Sequence, residues 1–284
     1  MEFHPNYICF PVRTPTKPPA THTNCYFITS PEEFLIVDPG SPYEDEQAAL
    51  AGCADDLIRN GWRSPREIIL THYHPDHIAG VNALNDFLER SHQRRIPVAA
   101  HRSTAEPLKG QVEVDRFIED NDLIEMEDMR LRALFTPGHA HGHLCLYDER
   151  TGALLSGDNI VGFGSVLIDP TDGNMRDYLA SLRRMRALPK LTVLFGGHGP
   201  PVANPYDKID QYIAHRLERE ANILKAVRAG ASTPAEIVAR VYTDVNPKAL
   251  PMAERAVLAH LEKLVTDGLV WQDAESFYAQ YPSM

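Results

Sequence analysis

His72-Tyr73-His74-Pro75-Asp76-His77 packs three imidazoles and a carboxylate into six residues, one residue after the apolar run Ile68-Ile69-Leu70. That adjacency limits what the chain can fold into more than any other feature. A short apolar run bounded by turn residues reads as a buried strand. The donors that follow it leave a rigid element on a loop, where they can converge as they could not along a regular helix or strand. Imidazole nitrogen and carboxylate oxygen at such short range suit a metal such as zinc.

Three further segments repeat the arrangement. Thr136-Pro137-Gly138-His139 follows an expected strand over 131–135, with Pro and Gly turning the chain to present His139. Ser156-Gly157-Asp158 follows a strand over 153–156, and Gly196-Gly197-His198-Gly199 follows one over 193–195. Four donor segments, each at the C-terminal end of a strand, describe one site assembled along the edge of a layered α/β sandwich.

Between these segments, Phe34–Val37 reads as a strand entering the turn Asp38-Pro39-Gly40, and further strands are expected at 97–100 and 144–147. Ser41 and Pro42 have the character of an N-cap and first helical residue for a helix closed by Asn60-Gly61. Helices are also expected at 81–88 and 175–188. After Pro200-Pro201 the pattern changes. An amphipathic helix runs from Lys208 to Ala229, ended by Gly230. Ser232-Thr233-Pro234 opens a short helix to Val241, Pro251–Val265 forms another, and Leu269-Val270-Trp271 starts a strand. Helix, helix and strand hairpin outline a winged helix. The chain therefore divides into a catalytic domain over 1–205, a linking helix over 206–230 and a winged-helix-like domain over 231–284.

The ligand segments resemble the metallo-beta-lactamase superfamily, whose motifs appear as HxHxDH at 72–77, TPGH at 136–139, SGD at 156–158 and GGHG at 196–199. The resemblance covers roughly residues 22–200 and implies the αββα metallo-beta-lactamase sandwich. It further implies that His72, His74 and His139 bind a first metal and that Asp76, His77 and His198 bind a second, with Asp158 bridging the two. Asp38 matches the family's early structural Asp and is expected to brace the loop rather than ligate. His143 matches a second family histidine with a supporting role, while His141 is expected to be an exposed loop residue. Two zinc ions are the implied cofactors, with manganese or iron as alternatives.

Two features narrow the branch. Only about forty residues separate Asp158 from His198, too few for the inserted domain of the β-CASP nucleases. Position 74 is His, where flavodiiron oxygen reductases carry Glu. The tail after Gly197-His198-Gly199-Pro200-Pro201, with Tyr212, His215, Arg216, Arg219 and Glu220, resembles the beta-lactamase-like 2 group, endoribonuclease-like proteins with a C-terminal winged helix. Fungal relatives of that group act as thioesterases on acyl-carrier-bound polyketides. A zinc pair lowers the pKa of bridging water to about 7, making hydroxide available as the nucleophile. Asp76 is the candidate catalytic residue, orienting that water and handling its proton. Neither Gly-x-Ser-x-Gly nor a cysteine with an adjacent base is present, which disfavours covalent catalysis.

The expected function is a binuclear zinc-dependent hydrolase of an ester, thioester or lactone. Single-strand endoribonuclease activity is the alternative, followed by a mononuclear iron persulfide dioxygenase and a non-catalytic module on a decayed site. The net charge of −11 opposes a grip on nucleic acid. From Asp207 onward, nine Lys/Arg stand against eleven Asp/Glu, so no basic recognition helix for DNA is expected. The winged helix is expected to wall the cleft or to mediate a homodimer. The four scattered cysteines argue against a disulfide framework. No apolar run reaches membrane-spanning length and Met1–Pro5 does not resemble a signal peptide, so the expected partners include no membrane and the expected location is the cytoplasm.

Overall fold

The computed structural model describes residues 5–61, 63–243 and 246–280; most of the Met1–Pro5 stretch on which the localisation reading rests lies outside them. The chain forms two compact units. The first comprises the residues up to Thr136, Gly142–Ser165 and Leu188–Pro205; the second comprises Pro137–His141, Val166–Ala187 and the chain from Tyr206 onward.

Two sheets organise the first unit. Strands β1 (Tyr7–Arg13), β2 (His22–Thr29), β3 (Glu33–Val37), β4 (Ser64–Leu70), β5 (Val98–Ala100) and β6 (Arg116–Phe117) lie side by side in chain order. Strands β7 (Leu123–Glu125), β8 (Arg130–Phe135), β9 (Leu144–Asp148), β10 (Ala153–Gly157) and β11 (Val193–Gly196) form the second sheet. Neighbours are antiparallel within β1–β3 and β7–β10, and parallel from β3 to β6 and between β10 and β11.

The alternation of side chains along each strand assigns the layers. Tyr26, Ile28, Leu35, Val37 and Ile69 of the first sheet meet Leu131, Ala133, Leu146, Leu155 and Phe195 of the second in one core. The intervening residues Phe27, Phe34, Ile36, Ile68 and Leu70 point the other way. They pack with Leu50 and Ala54 of α1 (Glu44–Arg59) and with Val81, Leu84 and Leu88 of α3 (Val81–His92). Burial on both faces is why Phe34–Val37 and Ile68–Leu70 are continuously apolar rather than alternating. The short helices α2 (Pro75–Ile78) and α4 (Arg102–Leu108) complete this unit.

One local expectation fails. Helix α1 begins at Glu44, with Tyr43 rather than Ser41 at its cap position. Ser41 Oγ instead donates to the Arg13 carbonyl at 2.7 Å, which holds Ser41 and Pro42 in the turn after β3. Cys25 and Cys145 are buried, Cys9 and Cys53 half-buried, and none forms a disulfide.

In the second unit, Asn174 caps α5 (Met175–Arg186) by accepting from the backbone N–H groups of Arg176 and Asp177. Helix α6 spans Pro205–Arg228, three residues earlier than its apolar periodicity indicates because Pro205 fits the first helical turn. Helix α7 (Pro234–Val241) opens on a reciprocal capping box between Thr233 and Glu236. Helix α8 (Leu250–Thr266) leads into the hairpin β12 (Val270–Asp273) and β13 (Ser276–Ala279). Ile223, Ile237, Val257, Leu261, Leu264, Val270 and Phe277 form the core of this unit. No described helix is long and apolar enough to cross a membrane.

Leu35 is fully buried between the two sheets of the first unit. Leu35→Ala should lower the free energy of unfolding by about 2–5 kcal/mol. Urea titration should show this as a lower midpoint with an unchanged slope.

Candidate metal centre

The apolar strands of the first unit end where the polar donors begin. Strand β4 releases Thr71–His74, and α2 then carries Asp76 and His77; Asp158 follows β10 directly, and His198 comes two residues after β11. The turn after β3 shapes the first of these loops. The Gly80 N–H donates to the Pro39 carbonyl at 2.8 Å, and a Cβ on Gly40 would fall 1.8 Å from the Asp76 carbonyl oxygen. Only glycine at position 40 lets the two segments approach this closely.

Asp38 pins that loop from beneath. It is buried, has φ 54°, and accepts from the Thr71 N–H at 2.8 Å and the Thr71 hydroxyl at 2.6 Å. Its Oδ2 also lies 2.9 Å from His77 Nδ1. Donor atoms of Asp38, His72 and His77 lie within 4.8 Å of one another, but the Asp38 oxygens are already engaged, so this carboxylate braces the site. With Nδ1 facing Asp38, His77 turns Nε2 toward Asp158 Oδ1 at 3.5 Å and Asp76 Oδ2 at 3.9 Å.

His198 is oriented in the same way. Its Nδ1 donates to the His22 carbonyl at 2.8 Å, leaving Nε2 at 3.2 Å from Asp158 Oδ2 and 3.5 Å from Asp76 Oδ2. The loop carrying it is tied to β2. Asn24 Nδ2 donates to the carbonyls of Gly196 and Gly199 at 2.9 and 2.8 Å, and the Tyr26 hydroxyl donates to Gly196 at 2.7 Å. Gly197 leaves necessary space: a Cβ there would fall 2.2 Å from Asp158 Oδ1. His72 Nδ1 lies 2.9 Å from the Thr71 hydroxyl, and its Nε2 lies 3.0 Å from His74 Nδ1.

Charge in this cluster is balanced between acids and imidazoles. Burial alone would push the His77 pKa down, but Asp158, Asp38 and Asp76 surround the ring and hold it well above the ordinary histidine range. Burial alone would raise Asp158, yet His77 and His198 hold it well below the ordinary carboxylate range. His198 is raised in the same manner, burial being outweighed by Asp158.

The residues present fit a divalent cation. His77 Nε2 is fully buried and makes no hydrogen bond, although two carboxylates face it. Donor atoms of Asp76, His77 and His198 all lie within 4.8 Å of one another. Ligands of a tetrahedral ion with bonds of ~2.0 Å stand roughly 3.3 Å apart, so small adjustments suffice.

Six of the expected ligands (His72, His74, Asp76, His77, Asp158 and His198) thus belong to the first unit. His139 belongs to the second, where its Nδ1 lies 3.0 Å from the Leu167 carbonyl. His141 is exposed, as its place in a loop suggests. His143 is fully buried, accepts from the Asp158 N–H at 3.1 Å through Nε2, and contacts the Thr136 hydroxyl through Nδ1. The supporting roles of Asn24, Tyr26 and Thr71 escape a reading by motif, because each is an ordinary strand or loop residue until pairing brings it to the site.

Residues 18–198 match the metallo-beta-lactamase superfamily model, and residues 233–279 match the beta-lactamase associated winged helix domain. A beta-lactamase-like protein 2 homolog from Caenorhabditis elegans is 29% identical over 250 residues, covering 87% of this chain and 80% of the relative. An atrochrysone carboxyl ACP thioesterase from Aspergillus fumigatus is 27% identical over 235 residues, covering 78% and 68% respectively. A metallo-beta-lactamase family protein from Thermus thermophilus shares the fold with a TM-score of 0.77 at 23% identity, over 98% of this chain and 99% of that one. The matched models, the paired sheets and the donor loops at their edge together mean that this chain belongs to the metallo-beta-lactamase superfamily of metal-dependent hydrolases.

Proposed function

We propose that this protein is a binuclear zinc hydrolase of an ester, thioester or lactone. The observation that carries the reading is the group of half-buried Asp76 with buried His77 and His198 beside Asp158, with the outer nitrogens of both histidines already committed. In this reading Asp76, His77 and His198 would hold one ion and His72, His74 and His139 the other, with Asp158 available to both. When bound, such a pair supplies Lewis acidity toward a substrate oxygen and toward water, whose pKa it brings to about 7.

The chain's own residues do the rest. Asp38 and the His22 carbonyl keep His77 and His198 aimed inward. Asp76 suits proton handling because its side chain is 15% exposed, against 3% for Asp38 and 9% for Asp158. Its Oδ2 also accepts from the Thr23 hydroxyl at 3.3 Å, which fixes the direction in which the carboxylate faces water. An acyl substrate is favoured by the acidic chain, net −11, and by the similarity to a fungal thioesterase.

Charge pairing in the second unit bears on nucleic acid. Arg255 of α8 is tied to Asp169, and Lys263 to Glu220 and Asp267, so the basic groups of that helix are already engaged. The full chain is expected to bind duplex DNA more weakly than about 10 µM at near-physiological salt. Sub-micromolar binding by fluorescence anisotropy would show this to be wrong.

Metal analysis should give two zinc-class ions per chain. His74→Ala and His198→Ala should each lose metal and lower turnover by at least about a hundredfold while circular dichroism stays unchanged. A single tightly bound ion, with His198→Ala as active as the parent, would refute the binuclear site. Side-by-side assays should show hydrolysis of activated thioesters or lactones that disappears in Asp76→Asn. RNA cleavage that disappears in Asp76→Asn, without acyl turnover, would instead identify an endoribonuclease.

A further inference from the structure

We propose that Arg216 of α6, together with Arg255 of α8, positions His139 by clamping the segment whose carbonyl selects the histidine's tautomer. The proposal rests on the reading above that His139 is a metal ligand, and all the residues that carry it lie in the second unit.

His139 sits in a turn, Pro137–His141, that its neighbours hold. Ser181 Oγ donates to the Pro137 carbonyl at 2.7 Å, and the Asn174 N–H donates to the Gly138 carbonyl at 2.9 Å. Gly138 has φ 133° and no room for a side chain, since a Cβ would fall 2.3 Å from Tyr178 Cα. These contacts place the backbone, and a further contact bears on the ring. Its Nδ1 lies 3.0 Å from the Leu167 carbonyl, which can only accept. The proton therefore resides on Nδ1, and Nε2 keeps the lone pair a metal requires.

Leu167 lies in neither a helix nor a strand, so its carbonyl direction depends on what fixes the residues around it. On one side, the guanidinium of Arg216 donates through Nη2 to the Val166 carbonyl and lies 5.3 Å from the centre of the Tyr178 ring. On the other, Arg255 donates through Nε to Asp169 at 3.0 Å, and Asp169 also accepts from the Thr171 N–H and hydroxyl at 3.0 and 2.7 Å. Both arginines thus close on a four-residue stretch with Leu167 inside it.

Arg216 is poorly explained as a stabilising residue. It is only 5% exposed, and its Nε has no hydrogen-bond partner. Burying a cation carries a desolvation cost that a well-packed apolar side chain of similar volume does not. What it provides here is a directional donor to one carbonyl, adjacent to the carbonyl that faces His139.

The test uses the whole chain and the variants Arg216→Met, Arg216→Lys and His139→Ala. Long-range proton–nitrogen spectra of the metal-free protein report the His139 tautomer, and competition with a chromophoric chelator reports zinc affinity. Wild type should show a single Nδ1–H tautomer. Arg216→Met should show a mixed population and bind zinc about 10- to 100-fold more weakly. Arg216→Lys keeps the buried cation but loses the planar fork, and should fall between the two. A folded Arg216→Met with wild-type tautomer and affinity overturns the proposal, even if its melting temperature drops. Should that variant fail to fold, wild-type tautomer and affinity in Arg216→Lys overturn it equally. If His139→Ala binds two zinc ions as tightly as wild type, the ligand assignment fails, while the tautomer measurement still decides the clamp.

Discussion

A buried carboxylate with nowhere to send its charge is the constraint from which the rest of the centre follows. Asp38 is 2% exposed, and a carboxylate that far from water must be answered by donors. Two come from Thr71 and one from His77, all on the chain leaving β4. Satisfying Asp38 therefore folds that chain back against the turn after β3, where Gly40 permits the contact with Asp76. His77 is then turned by the same bond that satisfies Asp38. Its far nitrogen is directed toward Asp158 and Asp76, and the electrostatic balance of the cluster is set by that single orientation.

Much of this was legible in the sequence. Donor-rich loops at the ends of apolar strands stand out because histidines so closely spaced have few other uses, and the same logic points across a long gap to Asp158 and His198, which the structure places beside His77. The apolar periodicity found the strands buried on both faces and the main helices. Strands β1 and β2 were not anticipated: Tyr7–Arg13 alternates polar and apolar residues weakly, and His22–Thr29 mixes buried Thr23 and Asn24 with aromatics. Their identity as strands comes from pairing with β3, a long-range property no local window contains. Asn24 is the clearest instance, since its amide links two carbonyls about 170 residues away in the chain. Ser41 shows the converse failure: a good capping residue by type was taken by a carbonyl of β1 instead.

The C-terminal region shows how charge counting and geometry complement one another. Its near-neutral balance suggested a winged helix not built to grip a polyanion. The structure gives that balance a spatial meaning, because Arg255 and Lys263 are consumed in ion pairs along α8 and Arg176 pairs with Asp267. These partly exposed bridges each add little to stability. Their effect is to fix side-chain directions, which matters more in a unit assembled from separated stretches of chain.

That discontinuity has an evolutionary consequence. The unit containing His139 is interleaved with the sheets along the sequence, in the stretches Pro137–His141, Val166–Ala187 and the chain from Tyr206 onward. A recombination event that exchanged everything beyond residue 205 would import foreign helices while leaving behind the two inner stretches that had adapted to the old ones. Although the winged helix looks like a detachable cassette in a linear map, it should be inherited together with the loops around positions 138 and 168. Lineages that lost or swapped it would be expected to carry compensating changes there, far from any apparent boundary between domains.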